Sequence, residues 1–587
     1  MFHRNKRVLW LLNHKTLMAY EAKLLLRLGF EVFVPKVIPA HIGFSSGIVD
    51  FTYDESLSIP RRALKRLNEF NFYERVWPSD VVMIVNRYFG TVFTMPYSIQ
   101  FPEVLNKFEG QIVFRAFGLV ESNYKELLTA THGFDSLLKI HALGDRFWFG
   151  EGYEQLRECE PPVLADRELF LPIGVPESFY EKANQWNGST KKILFVCPNV
   201  ISNPYYSAVY KRFKQDVGDL PHLIVGGQDV KVNDASMLGY VSDEELQRLY
   251  LDCAVLYYHS TELRHVHYTP IEAAIIGMPI VFFRSSLLGR LCEGSTPGCV
   301  DSVEEARTII QRVLAGDKEL IERLRQGQRN LSDRFSDAYC KAIWEKSLIE
   351  SGFRARLDQE QPMRIRTREA LRCVLAPIAG GLASVPFHPR LAIVPSKLVS
   401  PLENQPDRTL EQGIDFTESA YPKFVLGTNG ISRREFWGRW SVGKKVEIFF
   451  QDPLPKRFSL LLTGWAHGPN MGAHFNVRIG NVRRYASFRK GWADPETLSL
   501  EFSLRRSSRI VEIDVPHPTI PEQDIRAIGL GFVSLKVAPA PCSVPSEIDP
   551  HLGKVRRQKD EANDRMIEQS DSRASFSKSG EAGPEKT

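Results

Sequence analysis

The densest group of side chains able to do chemistry lies between His259 and Pro279, in the stretch HSTELRHVHYTPIEAAIIGMP. One short loop holds a hydroxyl (Ser260), a carboxylate (Glu262), a guanidinium (Arg264), two imidazoles (His265, His267) and a phenol (Tyr268). Folding alone does not require such a set; it suits a polar ligand held by several hydrogen bonds. His265 and His267 alternate with Val266 and raise the idea of a zinc pair. No further Cys or His stands at ligand spacing, so no metal is expected. The elements that must position the loop are short. Ala254–Tyr258 and Ile280–Phe283 are apolar runs that read as buried strands. Between them, Thr269 is the expected N-cap, Pro270 fits the first helical position and Glu272 completes a capping box. Gly277 then closes the helix. Strand, polar loop, helix, strand is a βαβ unit, and its loop lies at the carboxyl end of the first strand. In open α/β sheets that edge binds ligands.

The chain has 587 residues, too many for one core, so several domains are expected. Hydrophobic residues make up 43% and charged residues 25%, ordinary values for a globular protein. A net charge of +5, spread along the chain, argues little about nucleic acid, and none is expected as a partner. The eight cysteines form no CxxC pair and read as reduced, buried thiols of an intracellular protein. The basic start MFHRNKRVLW is broken at Asn13-His14-Lys15, so it reads as a first strand and not a signal peptide. No run of about 18 apolar residues exists, and no membrane span is expected. The expected location is cytoplasmic, with peripheral contact at the inner face of the membrane as the alternative.

The pattern predicts five regions. Residues 1–190 read as a Rossmann-like domain: strand Arg7–Leu12, helix Leu17–Leu28 ended by Gly29, strand Phe30–Pro35, and further strands at Val81–Val85 and Ile112–Arg115. It lacks G-x-G-x-x-G, which counts against a nicotinamide enzyme. Residues 191–345 form a second such domain, with strand Lys192–Val196, a loop holding Asn199 and Asn203, and a helix from Tyr205 to Val217 whose cap is Asn203. A helix N-terminus there favours a diphosphate. Residues 346–404 are an apolar but Pro- and Gly-broken connector. From 405 to 540 short alternating runs predict an antiparallel β-sandwich. Residues 541–587 have the composition of a disordered tail.

The segment LGYVSDEELQRLYLDCAVLYYHSTELRHVHYTPIEAAIIGMPIVFF resembles the nucleotide-sugar site of retaining GT-B glycosyltransferases of the large family-four type. Gly239, Val241, Glu272, Ala273, Gly277, Pro279 and Ile280 carry the likeness. The usual E-x7-E is here E-x9-E, from Glu262 to Glu272. The resemblance implies that Glu272 holds the donor's ribose, a role compatible with helix capping, and makes Glu262 a candidate contact to the donor sugar. It implies donor contacts from Gly227 and Tyr240, and from Asn199, Asn203, Ser260, His265, His267 and Thr269 around the same edge. Lys211 and Arg212 stand for the family's basic pair, although they lie one or two turns into their helix. In the first domain, which takes the acceptor, the resemblance puts His14 on the cleft-facing loop. Arg115 follows a strand there, as a contact to acceptor or donor phosphate or as a surface ion pair.

The sandwich resembles, more loosely, a jelly-roll-like accessory module found beside cell-surface glycan enzymes. A carbohydrate-binding role would use Trp437, Arg439, Trp440 or Trp465; the alternative places the tryptophans in the sandwich core. The expected function is thus a retaining glycosyltransferase moving a sugar from a nucleotide-diphosphate donor to a glycan or lipid-linked glycan acceptor in polysaccharide biosynthesis, with no cofactor or metal. Two rivals are a non-catalytic glycan-binding protein on a degenerate GT-B scaffold, and a phosphorylase or epimerase on the same fold.

Overall fold

The computed structural model describes residues 4–39, 47–97, 99–120, 122–292, 296–359, 406–418, 420–492, 494–521 and 526–539. The apolar stretch of the connector and the 541–587 tail lie outside these. Among the described residues no helix is long and apolar enough to cross a membrane.

The first lobe is built on strands β1 (Arg7–Trp10), β2 (Glu31–Phe33), β3 (Thr91–Thr94), β4 (Gln111–Ala116), β5 (Phe147–Glu151) and β6 (Glu168–Phe170). They pair in parallel in the order β2-β1-β3-β4-β5-β6. Strands β1, β3, β4 and β5 are buried along their whole length, as a sheet covered on both faces requires. Val81–Val85, expected as a strand, lies inside a helix, Ser79–Tyr88. Val81, Val85 and Tyr88 fall on one buried face and Met83 is exposed, so a four-residue period underlies what looked like a continuous run. The third strand is the shorter TVFT after it. The helix after β1 also departs from expectation: Met18–Ala22 forms a π-helical turn between α-helical ends, which carries Glu21 inward.

The second lobe holds β7 (Thr190–Val196), β8 (His222–Val225), β9 (Met237–Gly239), β10 (Cys253–Tyr258), β11 (Ile280–Phe283) and β12 (Cys299–Val300). Their order is β12-β11-β10-β7-β8-β9, again parallel. Both sheets are doubly wound, and the strand order reverses between β1 and β3 in one and between β7 and β10 in the other. The closing segment of this lobe forms two helices, Lys318–Gly327 and Arg329–Arg334. Beyond it, helices Asp337–Glu350 and Phe353–Gln359 return to the first lobe. There Trp344 donates its indole N–H to the Pro172 carbonyl (2.9 Å) and stacks on Phe93, and Arg354 reaches the Leu28 carbonyl (2.7 Å).

The C-terminal part is an antiparallel sandwich of β13 (Ile414–Asp415), β14 (Val425–Asn429), β15 (Arg439–Val442), β16 (Lys445–Phe450), β17 (Arg457–Ala466), β18 (Phe475–Ile479), β19 (Val482–Ala486), β20 (Glu496–Ser503), β21 (Ile510–Asp514) and β22 (Ile528–Pro539). One sheet runs β13-β22-β17-β20 with β15 on β22; the other runs β14-β16-β21-β18-β19. It has its own apolar core, centred on Phe458, Leu460, Val477, Val511 and Phe532. It is also docked on the first lobe: Phe134 packs against Phe449 (ring centroids 4.8 Å) and donates its backbone N–H to the Thr428 carbonyl (3.1 Å).

Candidate functional site

A cavity of about 700 Å³ lies between the two Rossmann-like lobes. Its walls come from loops at the carboxyl ends of strands beside the two reversal points: His14 and Lys15 after β1, Tyr97 after β3, Phe117 and Gly118 after β4, Pro198 after β7, and His265 and His267 after β10. The backbone of two doubly wound sheets therefore puts the cleft where side chains of several strands converge. The lobes touch across it. Tyr153 donates its hydroxyl to the Val266 carbonyl (3.2 Å), His265 Nδ1 donates to the Phe117 carbonyl (3.2 Å), and Lys15 pairs with Asp243 (2.8 Å). At Gly118, φ is +76°, and a Cβ would stand 1.5 Å from the Arg264 carbonyl oxygen, so only glycine allows this approach.

Glu272 lines the cavity and is 8% exposed. Burial raises its carboxyl to about 7, against the Tyr250 hydroxyl, which donates to it at 3.0 Å. The helix that carries it begins at Tyr268, two residues earlier than expected. His267 occupies the cap position without a side-chain cap bond, so the predicted Thr269–Glu272 capping box does not form. Both Thr269 and Glu272 face the cleft instead.

Three imidazoles surround the cavity in their neutral form. Burial, helped by Lys15, lowers His14 to about 4; its Nδ1 accepts the Leu17 N–H at 3.3 Å, which leaves the proton on Nε2. His267 falls to about 3 through burial, with His265 and His259 adding to it. The Tyr258 hydroxyl accepts the His267 backbone N–H (3.2 Å) and donates to its Nδ1 (3.1 Å). His265 is also lowered by burial, and its ring centroid is 4.7 Å from that of His267. Among the described residues no three His, Cys, Asp or Glu are grouped to hold a metal.

Of the residues expected at the site, His14, Gly227, Tyr240, His265, His267, Thr269 and Glu272 line the cavity. The others do not. Arg115 is fully buried beneath it. Its guanidinium pairs with Glu21, donates to the carbonyls of Gly150 (2.6 Å) and Leu171 (2.9 Å), and lies under the Phe117 ring at 4.8 Å. It is neither a surface ion pair nor open to substrate. Glu262 anchors its loop through its backbone, accepting from Leu287 N at 2.6 Å, and Ser260 Oγ accepts from Glu262 N at 3.2 Å. Asn199 sits at φ +49° and accepts from Asp229 N (3.3 Å), while Asn203 caps the helix Pro204–Asp216 as expected. Lys211 and Arg212 are exposed on that helix, away from the cavity.

Several lining groups had no sequence signal. Tyr97, Tyr153, Tyr206 and Tyr250 come from separate elements and meet only in the fold. A side recess of about 100 Å³ shares Tyr206, His267 and Thr269 with the cleft and ends on His259. His259 Nε2 and Tyr268 Oη are buried and have no hydrogen-bond partner among the described residues. Leaving such atoms unpaired costs about 1–3 kcal/mol each, so both suit a polar ligand.

In the sandwich, Trp437, Trp440 and Trp465 are 9%, 5% and 3% exposed and pack on one another, and Arg439 is 6% exposed. They are core, not an open sugar platform. The exposed rings beside them are Trp492 and Phe436.

Two Rossmann-like lobes facing each other across a ligand-sized cleft, closed by C-terminal helices that return to the first lobe, define a GT-B fold with an appended antiparallel sandwich. Residues 402–539 match a domain of unknown function, DUF7024. Phosphoglycerol transferase I of Escherichia fergusonii is 34% identical over 131 residues, 21% of this chain and 17% of that protein; the protein of that name from Salmonella typhi is 33% identical over the same length. The chain thus spans about a sixth of these curated relatives. Among solved structures, Anabaena HepE in complex with UDP and glucose shares 12% identity over 59% of this chain and 100% of that one, with a TM-score of 0.38. The K341M mutant of Thermobaculum terrenum O-GlcNAc transferase shares 14% over 61% and 68%, with a TM-score of 0.36. The fold stated above rests on the strand orders and the cleft.

Proposed function

We propose that the protein is a retaining glycosyltransferase that moves a sugar from a nucleotide-diphosphate donor to a glycan acceptor in polysaccharide biosynthesis. The observation that carries this reading is the Glu272 carboxylate, buried at the carboxyl edge of the second sheet and opening into a cleft walled by both lobes. A carboxylate there accepts two vicinal hydroxyls of a ribose, and exposed Tyr240 offers a face to the base. In the proposed step the bond from sugar C1 to the diphosphate oxygen breaks. The acceptor hydroxyl attacks C1 from the same face, and its proton passes to the departing diphosphate. That chemistry needs charge stabilisation and orientation more than a nucleophile. Lys15 and the Nε2–H of neutral His14 line the cleft and supply donors. Reduced, buried cysteines fit a cytoplasmic site.

A second reading has an observation in its favour. Glu262 and the Lys211–Arg212 pair stand outside the cavity, as they would on a GT-B scaffold that binds glycan without turnover. One experiment separates the two. The wild-type chain and Glu272→Gln are titrated with UDP-, GDP- and ADP-sugars, and nucleoside diphosphate release is followed with a glycan panel present. The glycosyltransferase reading expects at least one donor to bind and turn over, with affinity reduced roughly tenfold to hundredfold in the variant. Binding without release for every donor favours the non-catalytic protein, and no donor binding at all removes the site assignment.

A further inference from the structure

The loop after β4 serves two cavities. Phe117 and Gly118 line the cleft; the next residues, Leu119 and Ser122 among them, line a separate recess of about 310 Å³. The far wall of that recess belongs to the sandwich, which contributes Arg433, Arg434 and Arg439. Glu126, on the first-lobe helix Tyr124–His132, is the acidic side chain of the lining and accepts from Ser122 Oγ at 3.1 Å. Three guanidiniums therefore face one carboxylate. Arg439 is held in the wall, donating to the Glu418 carbonyl at 3.0 Å. Arg433 and Arg434 are exposed and form no ion pair with any described residue. They stand on a short arm pinned by bridges Ile431–Ser441 and Glu435–Gly438. The packing of Phe134 on Phe449, and of Gly427 against Phe134, fixes this arm relative to the acceptor lobe.

Exposed arginines are ordinary on a surface. Two of them on a braced arm, over a recess whose walls come from two domains and whose floor loop continues into the cleft, are a placed set. Guanidinium groups recognise phosphate and carboxylate by paired, charge-assisted hydrogen bonds. We propose that this recess holds an anionic substituent, a phosphate or a carboxylate, of the acceptor glycan while the hydroxyl to be glycosylated lies in the cleft. The role as an acceptor subsite rests on the glycosyltransferase reading; anion binding by the recess does not.

The test uses the full chain and the double variant Arg433→Ser/Arg434→Ser. The probes are a neutral glucan oligosaccharide, the same oligosaccharide bearing one phosphate, its counterpart bearing one uronate, and phosphatidylglycerol vesicles. The wild type is expected to bind one of the singly charged oligosaccharides at least roughly tenfold tighter than the neutral parent. The variant should lose that preference while keeping its melting temperature and its nucleotide-sugar affinity. Equal affinity for charged and neutral probes, or a preference that survives the double substitution, overturns the proposal. Binding to vesicles alone, lost in the variant, also overturns it and assigns the arm to a membrane. Nucleotide-sugar binding without any charge preference sinks the recess and spares the cleft; charge preference without nucleotide-sugar binding sinks the cleft reading and leaves a glycan-anion site.

Discussion

Two buried carboxylates set opposite expectations. Glu272 has a phenol for a hydrogen-bond partner, and burial, outweighing the pull of Lys15, raises it to about 7. Its folded value exceeds the unfolded one, so the folded chain holds the extra proton between about 4.5 and 7 and this residue's contribution to stability falls as pH rises through that window. A hydroxyl ligand prefers the ionised form. Donor affinity is therefore expected to rise as pH passes through about 7, and Glu272→Gln to flatten the profile; a wild-type affinity independent of pH from 6 to 8 would count against a direct contact. Glu21 instead meets Arg115 with both side chains fully buried. Arg115→Met should cost about 3–5 kcal/mol in a denaturant titration, because it strands the Glu21 charge. Adding Glu21→Leu should recover most of that loss. An Arg115→Met protein as stable as the wild type would show that the pair is not the structural brace described.

At the scale of elements, the loops after β4 and β10 act as one unit. They are joined by the His265–Phe117 hydrogen bond and by the contact of Gly118 with the Arg264 backbone. Gly118→Ala needs both a left-handed φ for alanine and a shift of the opposite loop. It is expected to move His265 and His267 off their positions and to reduce kcat/KM by roughly tenfold to hundredfold, with a small change in melting temperature. Unchanged kinetics would mean that the two loops are not coupled. The loops are also where prediction from the chain was least complete. A polar run such as Ser260–Tyr268 announces a ligand site, but which of its side chains face the cleft depends on the partner loop. Glu262 and Arg115 looked equally suitable as sequence, yet Glu262 does not line the cleft, and Arg115 is drawn beneath it by Glu21, which a π-helical turn carries inward from far away in the chain.

At the scale of the whole molecule, one apolar cluster runs from the first lobe to Leu426 and Phe449 of the sandwich, so the module is seated and not merely tethered. Phe134→Ala removes the ring at this seat. It is expected to cost about 3–5 kcal/mol and to split a single unfolding transition into two, since the sandwich keeps its own core. A single transition at the wild-type midpoint would show that the seat contributes little.

The sequence by itself determined the two Rossmann-like lobes, the sandwich, the helix cap at Asn203, and the Glu272 helix closed by Gly277. These follow from period and local hydrogen bonding, which act over a few residues. Tertiary structure alone decided the burial of Arg115, the tyrosine lining of the cleft and the arginine wall shared by two domains. Each depends on residues far apart in the chain that meet only when the lobes pack, and no local pattern encodes such a meeting.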